Sequence, residues 1–412
     1  MAYHAKLSPS SAARWMSCPG SNILSEGIED VDSDHAAEGT AAHELGERIL
    51  LGAVGTDLVG QRAANGVKWT KEMLKDVMKY VVHVQDLKLS MGGALFIEVK
   101  VPISAFTDEE GATGTSDAVL AGDGEICVVD LKFGMGVEVS AERNKQLMLY
   151  ALGAIEEFDW SHGPFNRVRL VISQPRIQDH PSEWSCSLEE LQAFGEEVKM
   201  ASKRVGNAAV AYAASKGDAH WQTIYLQPSE DDCRWCRAKA TCPKLASLVD
   251  ELFETVDPKA DSAVGEILGA AMGKVGLVEI WCKAVRARTE SELLAGATVP
   301  GFKIVQGRKG PRQWDDADEI EAMMKTFKMR ADVMYDWKLI SPTSAEKLVE
   351  EKLLGPRQWN KLLPLIKQSE GKPSVAPDSD KRAALVRGAV EDEFEVLDPV
   401  PAAVELSADD LL

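Results

Sequence analysis

The stretch GTSDAVLAGDGEICVVDLKFG, residues 114–134, sets an apolar run between charged residues, with Asp117 near its start and Asp130 and Lys132 near its end. ICVVDLK, 126–132, is dense enough in valine and isoleucine for a central strand, and AGDGE, 121–125, has the glycines and aspartate of a tight turn. The spacing predicts a hairpin that brings Asp117 near Asp130. Side chains two apart in a strand point the same way, so Asp130 and Lys132 share one face while Val129 and Leu131 take the other. Upstream, GATGTS is a glycine-rich entry that leaves room for a ligand backbone to approach Asp117. The flanks extend the pattern: ALFIEVKVPI, 94–103, and VRLVISQP, 168–175, read as strands, and residues 36–52, about 141–157 and 187–216 read as helices. Three strands, a helix and a further strand predict an α/β sandwich around a mixed sheet.

A chain of 412 residues that is 45% hydrophobic can fill one large core or two ordinary ones, which excludes disorder throughout. The amino terminus, MAYHAKLSPSSAARWMSCPG, has no apolar core of a signal peptide, and no run of about 18 apolar residues occurs, so a cytoplasmic protein without a membrane span is expected. Seven cysteines without an export signal are expected to be thiols or metal ligands rather than a disulfide framework. The net charge of -19 argues against a nucleic-acid partner, because phosphate is bound largely through Lys and Arg. Two windows run the other way: 233–244 carries Arg234, Arg237, Lys239 and Lys244, and 303–312 carries Lys303, Arg308, Lys309 and Arg312, both without an acid. Beyond Lys244 the pattern is mainly helical, broken at 301–314 by a candidate hairpin. The expected organisation is a first domain over 1–250, a mainly helical region over 251–375, and an acidic, disordered tail over 376–412, whose residues 391–412 hold eight acids and no base.

A lone D-x-K fits a surface ion pair worth about 0–1 kcal/mol. Asp117 changes that reading: two carboxylates sharing a site repel unless a cation lies between them, and Mg²⁺ or Mn²⁺ is the usual solution. His43, on the first predicted helix, is a candidate imidazole ligand, or else a packing histidine. Gln146 and Tyr150 are four apart in RNKQLMLYALGA and share one helical face after the D-x-K strand, a pattern that a half-buried face also produces.

The order AAEGTAAH, GTSD, DLK and QLMLY resembles the RecB-type branch of the PD-(D/E)XK nucleases, in which a helical histidine, a G-x-x-D aspartate, a D-x-K pair and a Q-x-x-x-Y motif follow one another; the resemblance covers residues 36–155. It implies a restriction-endonuclease-like mixed sheet flanked by helices, with His43, Asp117 and Asp130 as ligands of Mg²⁺ or Mn²⁺. Lys132 would orient or polarise the attacking water, and Gln146 and Tyr150 would position the DNA backbone and the lysine. Glu98, in the preceding strand, is a further acidic contact. The implied activity is a metal-dependent deoxyribonuclease, an exonuclease on DNA ends or single strands. The chemistry asks for such a set, since phosphodiester hydrolysis needs an activated water and positive charge at the phosphate. The competing class is a catalytically silent DNA-binding or assembly protein that keeps the fold; the intact set of His43, Asp117, Asp130 and Lys132 favours the enzyme.

DDCRWCRAKATCPK holds Cys233, Cys236 and Cys242 as C-x2-C-x5-C, and Cys18 is a distant fourth. Three thiols in a polar, basic stretch point to a four-cysteine metal centre; zinc and iron-sulfur both accept four thiolates, and spacing does not separate them. Cys127, Cys186 and Cys282 lie in apolar or amphipathic runs and read as structural. The arrangement is similar to the iron-sulfur subset of RecB-type nucleases, found in helicase-nuclease subunits and the CRISPR adaptation nuclease, which implies a [4Fe-4S] cluster with zinc as the alternative. Joining Cys18 to the late triplet closes a loop of more than 200 residues around the nuclease core, restricting the unfolded chain by an amount on the order of several kcal/mol in the loop-entropy model. Arg234, Arg237, Lys239 and Trp235 read either as a grip on a strand or as solvated side chains. The layout resembles proteins of bacteriophages and prophages, which implies a bacterial host cell, DNA as substrate, a role in phage recombination, and a recombination or single-strand-annealing protein as partner.

Overall fold

Asp123 and Gly124 both have positive φ, 51° and 67°, as a type I′ turn requires; its twist matches that of the strands it joins. In the computed structural model this turn sits in a five-stranded sheet of β1 (Ala94–Pro102), β2 (Thr113–Gly122), β3 (Glu125–Leu131), β4 (Arg167–Ser173) and β5 (Ser182–Ser187), in spatial order β1-β2-β3-β4-β5. The structure describes residues 5–28, 34–255, 264–303, 325, 346–349, 351–353 and 355–363. Only β3 and β4 run parallel; the other pairs are antiparallel. The sheet is therefore mixed, as the sequence predicts, and β3 is buried along its whole length.

The helices are α1 (Ala12–Ser17), α2 (Gly20–Leu24), α3 (Asp34–Leu50), α4 (Gly55–Leu58), α5 (Lys71–Met91), α6 (Ser104–Thr107), α7 (Lys145–His162), α8 (Leu188–Ser215), α9 (Ala219–Tyr225), α10 (Glu230–Arg234), α11 (Pro243–Thr255), α12 (Val264–Leu294) and α13 (Pro356–Leu362). Crossing from β3 to β4, α7 buries Leu147, Met148, Leu149 and Ala151 with Val128, Ile126 and Ile172 of the sheet. On the opposite face α3 and α5 contribute Ala42, Leu45, Val77, Tyr80 and Val84, which meet Ala118, Val129 and Leu131. Full burial of each large apolar side chain contributes roughly 1.5–3 kcal/mol, so the two faces fix the sheet between its helix layers.

Three expectations shift. The helix expected from 141 begins at Lys145, because the Asn144 side chain accepts from the Leu147 amide at 3.2 Å and caps it. The long α5 is new; Thr70 caps it, and Met73, Val77, Tyr80, Val81, Val84, Leu87 and Met91 form its buried stripe. The edge strand β5 is also new. Residues 1–306 form one compact unit and 307–412 a second. Within the first, α11 and α12 pack together, and α12 lies against the cysteine-bearing α10 segment. The candidate hairpin beyond residue 303, with Arg308, Lys309 and Arg312, and the acidic tail fall outside the described residues. Among the described residues no helix is long and apolar enough to cross a membrane.

Candidate active site

The β2–β3 register ends at Ala118 opposite Val129, so Asp117 faces Asp130 one step further on. On the other side of β2, Ile97 pairs with Ala118 and Val99 with Ser116, which sets Glu98 opposite Asp117. Three adjacent strands thus carry a row of carboxylates. The row coincides with an irregularity: Glu98 has a φ of 47°, in the left-handed region that non-glycine residues avoid. Phe96, Val99 and Val101 all meet the α7-side core, whereas regular alternation would group 96, 98 and 100. The strand changes phase at Glu98, and such a backbone costs on the order of 1–3 kcal/mol unless its surroundings hold it.

His43 projects from α3, and its Nδ1 lies 3.1 Å from Asp117 Oδ1. The other oxygen of Asp117 accepts from the backbone N–H of Leu131 at 2.6 Å, tying β2 to the start of the D-x-K segment where ladder pairing stops. His43, Glu98 and Asp117 each offer one ligand atom, all within 4.8 Å of one another, the one such group of three or more His, Cys, Asp or Glu among the described residues. Asp130 stands in a neighbouring ring. Its Oδ1 accepts from Gln146 Nε2 at 2.9 Å, its Oδ2 lies 3.0 Å from Lys132 Nζ, and Lys132 Nζ donates to Gln146 Oε1 at 2.9 Å. The Tyr150 hydroxyl is 3.4 Å from Gln146 Nε2.

Each shift in acidity has a visible source. Burial pulls the His43 pKa down, but Asp117, Asp130 and Glu98 outweigh it and carry it up to about 9. Glu98 rises to about 7, through burial first and then the charge of Asp117, with His43 opposing. Burial also raises Asp130, with Lys132 as the main counterweight. Tyr80 and Tyr150, buried beside the same acids, are both raised, by burial before charge. The proton affinities of His43, Glu98 and Asp130 are thus all raised.

Of the two glycines in the entry, Gly111 faces open space and Gly114 is packed. A Cβ on Gly114 would lie 2.7 Å from both the Tyr150 ring and Pro9, so the space at Gly114 itself is filled by these neighbours. The cysteines gather elsewhere. Cys18, at the end of α1, and Cys233, Cys236 and Cys242 line one small cavity, each under 10% exposed. Among the described residues no three of their sulfurs lie within 4.8 Å of one another. Burial raises the pKa of Cys18 and Cys242 and carries Cys233 up to about 12. Of the nearby basic residues, Arg237 donates to the Ile28 carbonyl and Lys239 to the Arg234 carbonyl, while Trp235 is 71% exposed. Cys127 and Cys186 pack in the two sheet cores.

Residues 4–383 match the family described as "Protein of unknown function (DUF2800)". The chain belongs to DUF2800. Among solved structures, this DUF2800 chain is similar to an alkaline exonuclease, LHK-Exo from Laribacter hongkongensis, at 14% identity over 44% of this chain and 96% of that one, with a TM-score of 0.22. It is also similar to a phage related exonuclease from Haemophilus somnus 129PT, at 13% identity over 51% of this chain and 97% of that one, TM-score 0.25. SSO0001 matches at 12% identity over 53% and 92%, TM-score 0.22. Scores this low carry no function from those proteins to DUF2800.

The fold of this DUF2800 chain brings His43, Asp117, Asp130, Lys132, Gln146 and Tyr150 together. Glu98, expected only as an added acidic contact, joins His43 and Asp117 in the group whose potential ligand atoms lie within 4.8 Å of one another. Three supporting residues carry no motif. Tyr80 reaches the site from α5. Arg176 pairs with Glu38 of α3 at 3.0 Å and covers the Phe133 ring at 4.8 Å. Buried Gln174 holds the loop after Lys132 by accepting from Val139 N–H at 3.0 Å and donating to the carbonyls of Gly134 and Val137. The periodic stripe of α5 would have revealed Tyr80; the other two become visible only when the loops are folded.

Proposed function

We propose that this chain is a divalent-metal-dependent deoxyribonuclease. The reading is carried by one observation: a three-ligand group of His43, Glu98 and Asp117 adjoins an Asp130–Lys132–Gln146 ring. One imidazole and two carboxylates form an oxygen-rich set that fits Mg²⁺ or Mn²⁺, which would neutralise phosphate charge and lower the pKa of a bound water. Asp130 Oδ2, buried and without a hydrogen bond despite its ion pair with Lys132, is an unused oxygen in the neighbouring ring.

The chain's own groups divide the remaining work. Lys132 presents an ammonium where charge grows on the phosphate. Asp130 and Gln146 hold it there: the Gln146 amide donates through Nε2 and accepts through Oε1, so one orientation serves both neighbours. Tyr150 braces that amide from one turn further along α7. His43 carries a proton shared with Asp117 at neutral pH and must release it to become a ligand. DNA is the substrate class that the RecB-type resemblance supplies, with ends or single strands preferred and a phage recombination or single-strand-annealing protein as partner.

The four cysteines are, in this reading, ligands of a [4Fe-4S] cluster that staples the amino terminus to the segment after β5. Four buried thiols on one cavity and the Gln227 N–H donating to Cys18 Sγ at 3.4 Å suit a sulfur-rich group. Zinc, which also accepts four thiolates, is the alternative occupant of the same four cysteines.

Incubating labelled linear and circular DNA with Mg²⁺ or Mn²⁺ tests the main claim. Wild type should shorten linear DNA and leave circles intact, while Asp130→Ala should leave both intact. Equal degradation by both proteins would show that the assigned site is not the source, and DNA binding without cleavage would favour the silent binding protein. Broad absorbance near about 400 nm is the signature expected of the cluster.

A further inference from the structure

Two buried polar atoms on the thiol cavity have no hydrogen-bond partner, Arg14 Nη1 and Ser21 Oγ. Ser21 is 3% exposed. A buried donor left unmade costs about 1–3 kcal/mol, and more when charged, so two of them on one cavity call for an acceptor that belongs inside it. The other polar groups there are engaged. Asp232 Oδ2 accepts from Ser17 Oγ at 2.6 Å and Ser229 Oγ at 2.8 Å, and Lys239 Nζ donates to the Arg234 carbonyl at 2.6 Å. Both unpaired donors are also tied to a ligand. The Cys18 amide donates to the Arg14 carbonyl at 2.8 Å, and the Ser21 amide to the Cys18 carbonyl at 3.0 Å. The turn that presents Cys18 therefore presents Arg14 from one side and Ser21 from the other.

We infer that Arg14 and Ser21 donate to the sulfurs of the iron-sulfur cluster and stabilise its reduced, more negative state. The inference rests on the cluster assignment made above. A guanidinium in a poorly solvated shell lowers the energy of the state with more negative charge, and hydrogen bonds to sulfur act in the same direction. Arg14 and Ser21 are thus tuning residues; the cysteines alone ligate.

The test uses the full-length protein purified without oxygen. Iron and acid-labile sulfide are measured first, and the midpoint of one-electron reduction by dithionite is then followed in the visible spectrum with redox mediators. Wild type should carry iron and sulfide in equal amounts. Arg14→Gln and Ser21→Ala should retain both while their midpoints move to lower potential, Arg14→Gln further, with Arg14→Lys in between because it keeps the charge. Clusters present with unshifted midpoints overturn the inference and leave the cluster standing. A wild-type protein without iron overturns both. Should Arg14→Gln fail to fold, Ser21→Ala, which removes one oxygen, decides by itself.

Discussion

Replacing Lys132 with methionine keeps most of its length and removes its charge. The ammonium lies 3.0 Å from Asp130 Oδ2, and Asp130 is 3% exposed, so the variant strands a carboxylate with the Gln146 amide alone. Breaking a buried pair from one side costs about 3–5 kcal/mol. Lys132 itself is 31% exposed, and screening by water places the loss at the lower end, about 3 kcal/mol. For a unit of this size that lowers the Tm by roughly 6–12 °C. The sign with pH follows from Asp130. Its folded pKa is raised, so the folded state holds the proton more tightly than the unfolded chain, and stability falls as pH rises through the folded value. Losing Lys132 raises that pKa further, so the deficit should be smallest at acid pH and grow as pH rises. Asp130→Asn removes the stranded charge, and the double variant should regain about 2 kcal/mol relative to the sum of the single losses. Urea and thermal denaturation of all four proteins in chelator completes the cycle. A coupling under about 0.5 kcal/mol, or a deficit that shrinks as pH rises, would refute the buried pair.

Binding of Mn²⁺ should strengthen from about pH 6 to about pH 8, because His43 at about 9 and Glu98 at about 7 must give up protons to act as ligands; calorimetry that finds one affinity across this range contradicts the ligand set, and Asp117→Asn should abolish the signal. Gly114→Ala drives a methyl into Tyr150 and Pro9, so a loss of about 1–3 kcal/mol is expected, and an unchanged denaturation midpoint would mean that Tyr150 does not occupy that space. Gln174→Ala removes three hydrogen bonds from the loop after Lys132, and hydrogen exchange at the Val139 amide should quicken about tenfold or more; unaltered protection there would show that the loop is held by something else.

The hairpin at the centre of the sheet was legible because two local rules agree on it. Asp-Gly demands positive φ twice, and the apolar runs on either side have strand density. By contrast, β5 alternates Trp184 and Cys186 inward with exposed Glu183, Ser185 and Ser187, but one buried residue in a six-residue edge strand is too short a pattern to stand out in the sequence. The buried stripe of α5 was written in the sequence but has no motif to draw the eye. At the site, the order of His43, Asp117, Asp130, Lys132, Gln146 and Tyr150 was readable as a family pattern, whereas the weight of Glu98 was not. That weight depends on register across two strands and on a left-handed residue inside one of them, neither of which single-sequence periodicity encodes. Gly114 misled for a related reason: a glycine marks close approach, but only the packed structure says whether a ligand or a neighbouring ring approaches.

Charge balance joins the shifted acidities to the proposed chemistry. Glu98, Asp117 and Asp130 bring three negative charges when ionised, and Lys132 supplies one positive charge. Without an ion, the deficit is met by protons, chiefly on His43 and in part on Glu98, which is why these two groups have their pKa carried upward. A divalent ion meets the same deficit with neutral His43 and ionised Glu98. The two states are therefore nearly equal in charge, and one exchanges for the other by releasing between one and two protons near neutral pH. In the proposed reading, the loaded state is the one whose centre no longer repels an anionic phosphate. The acidic balance of the whole chain and an anionic substrate are then compatible, because the sign that matters is set within a few ångströms of Asp117.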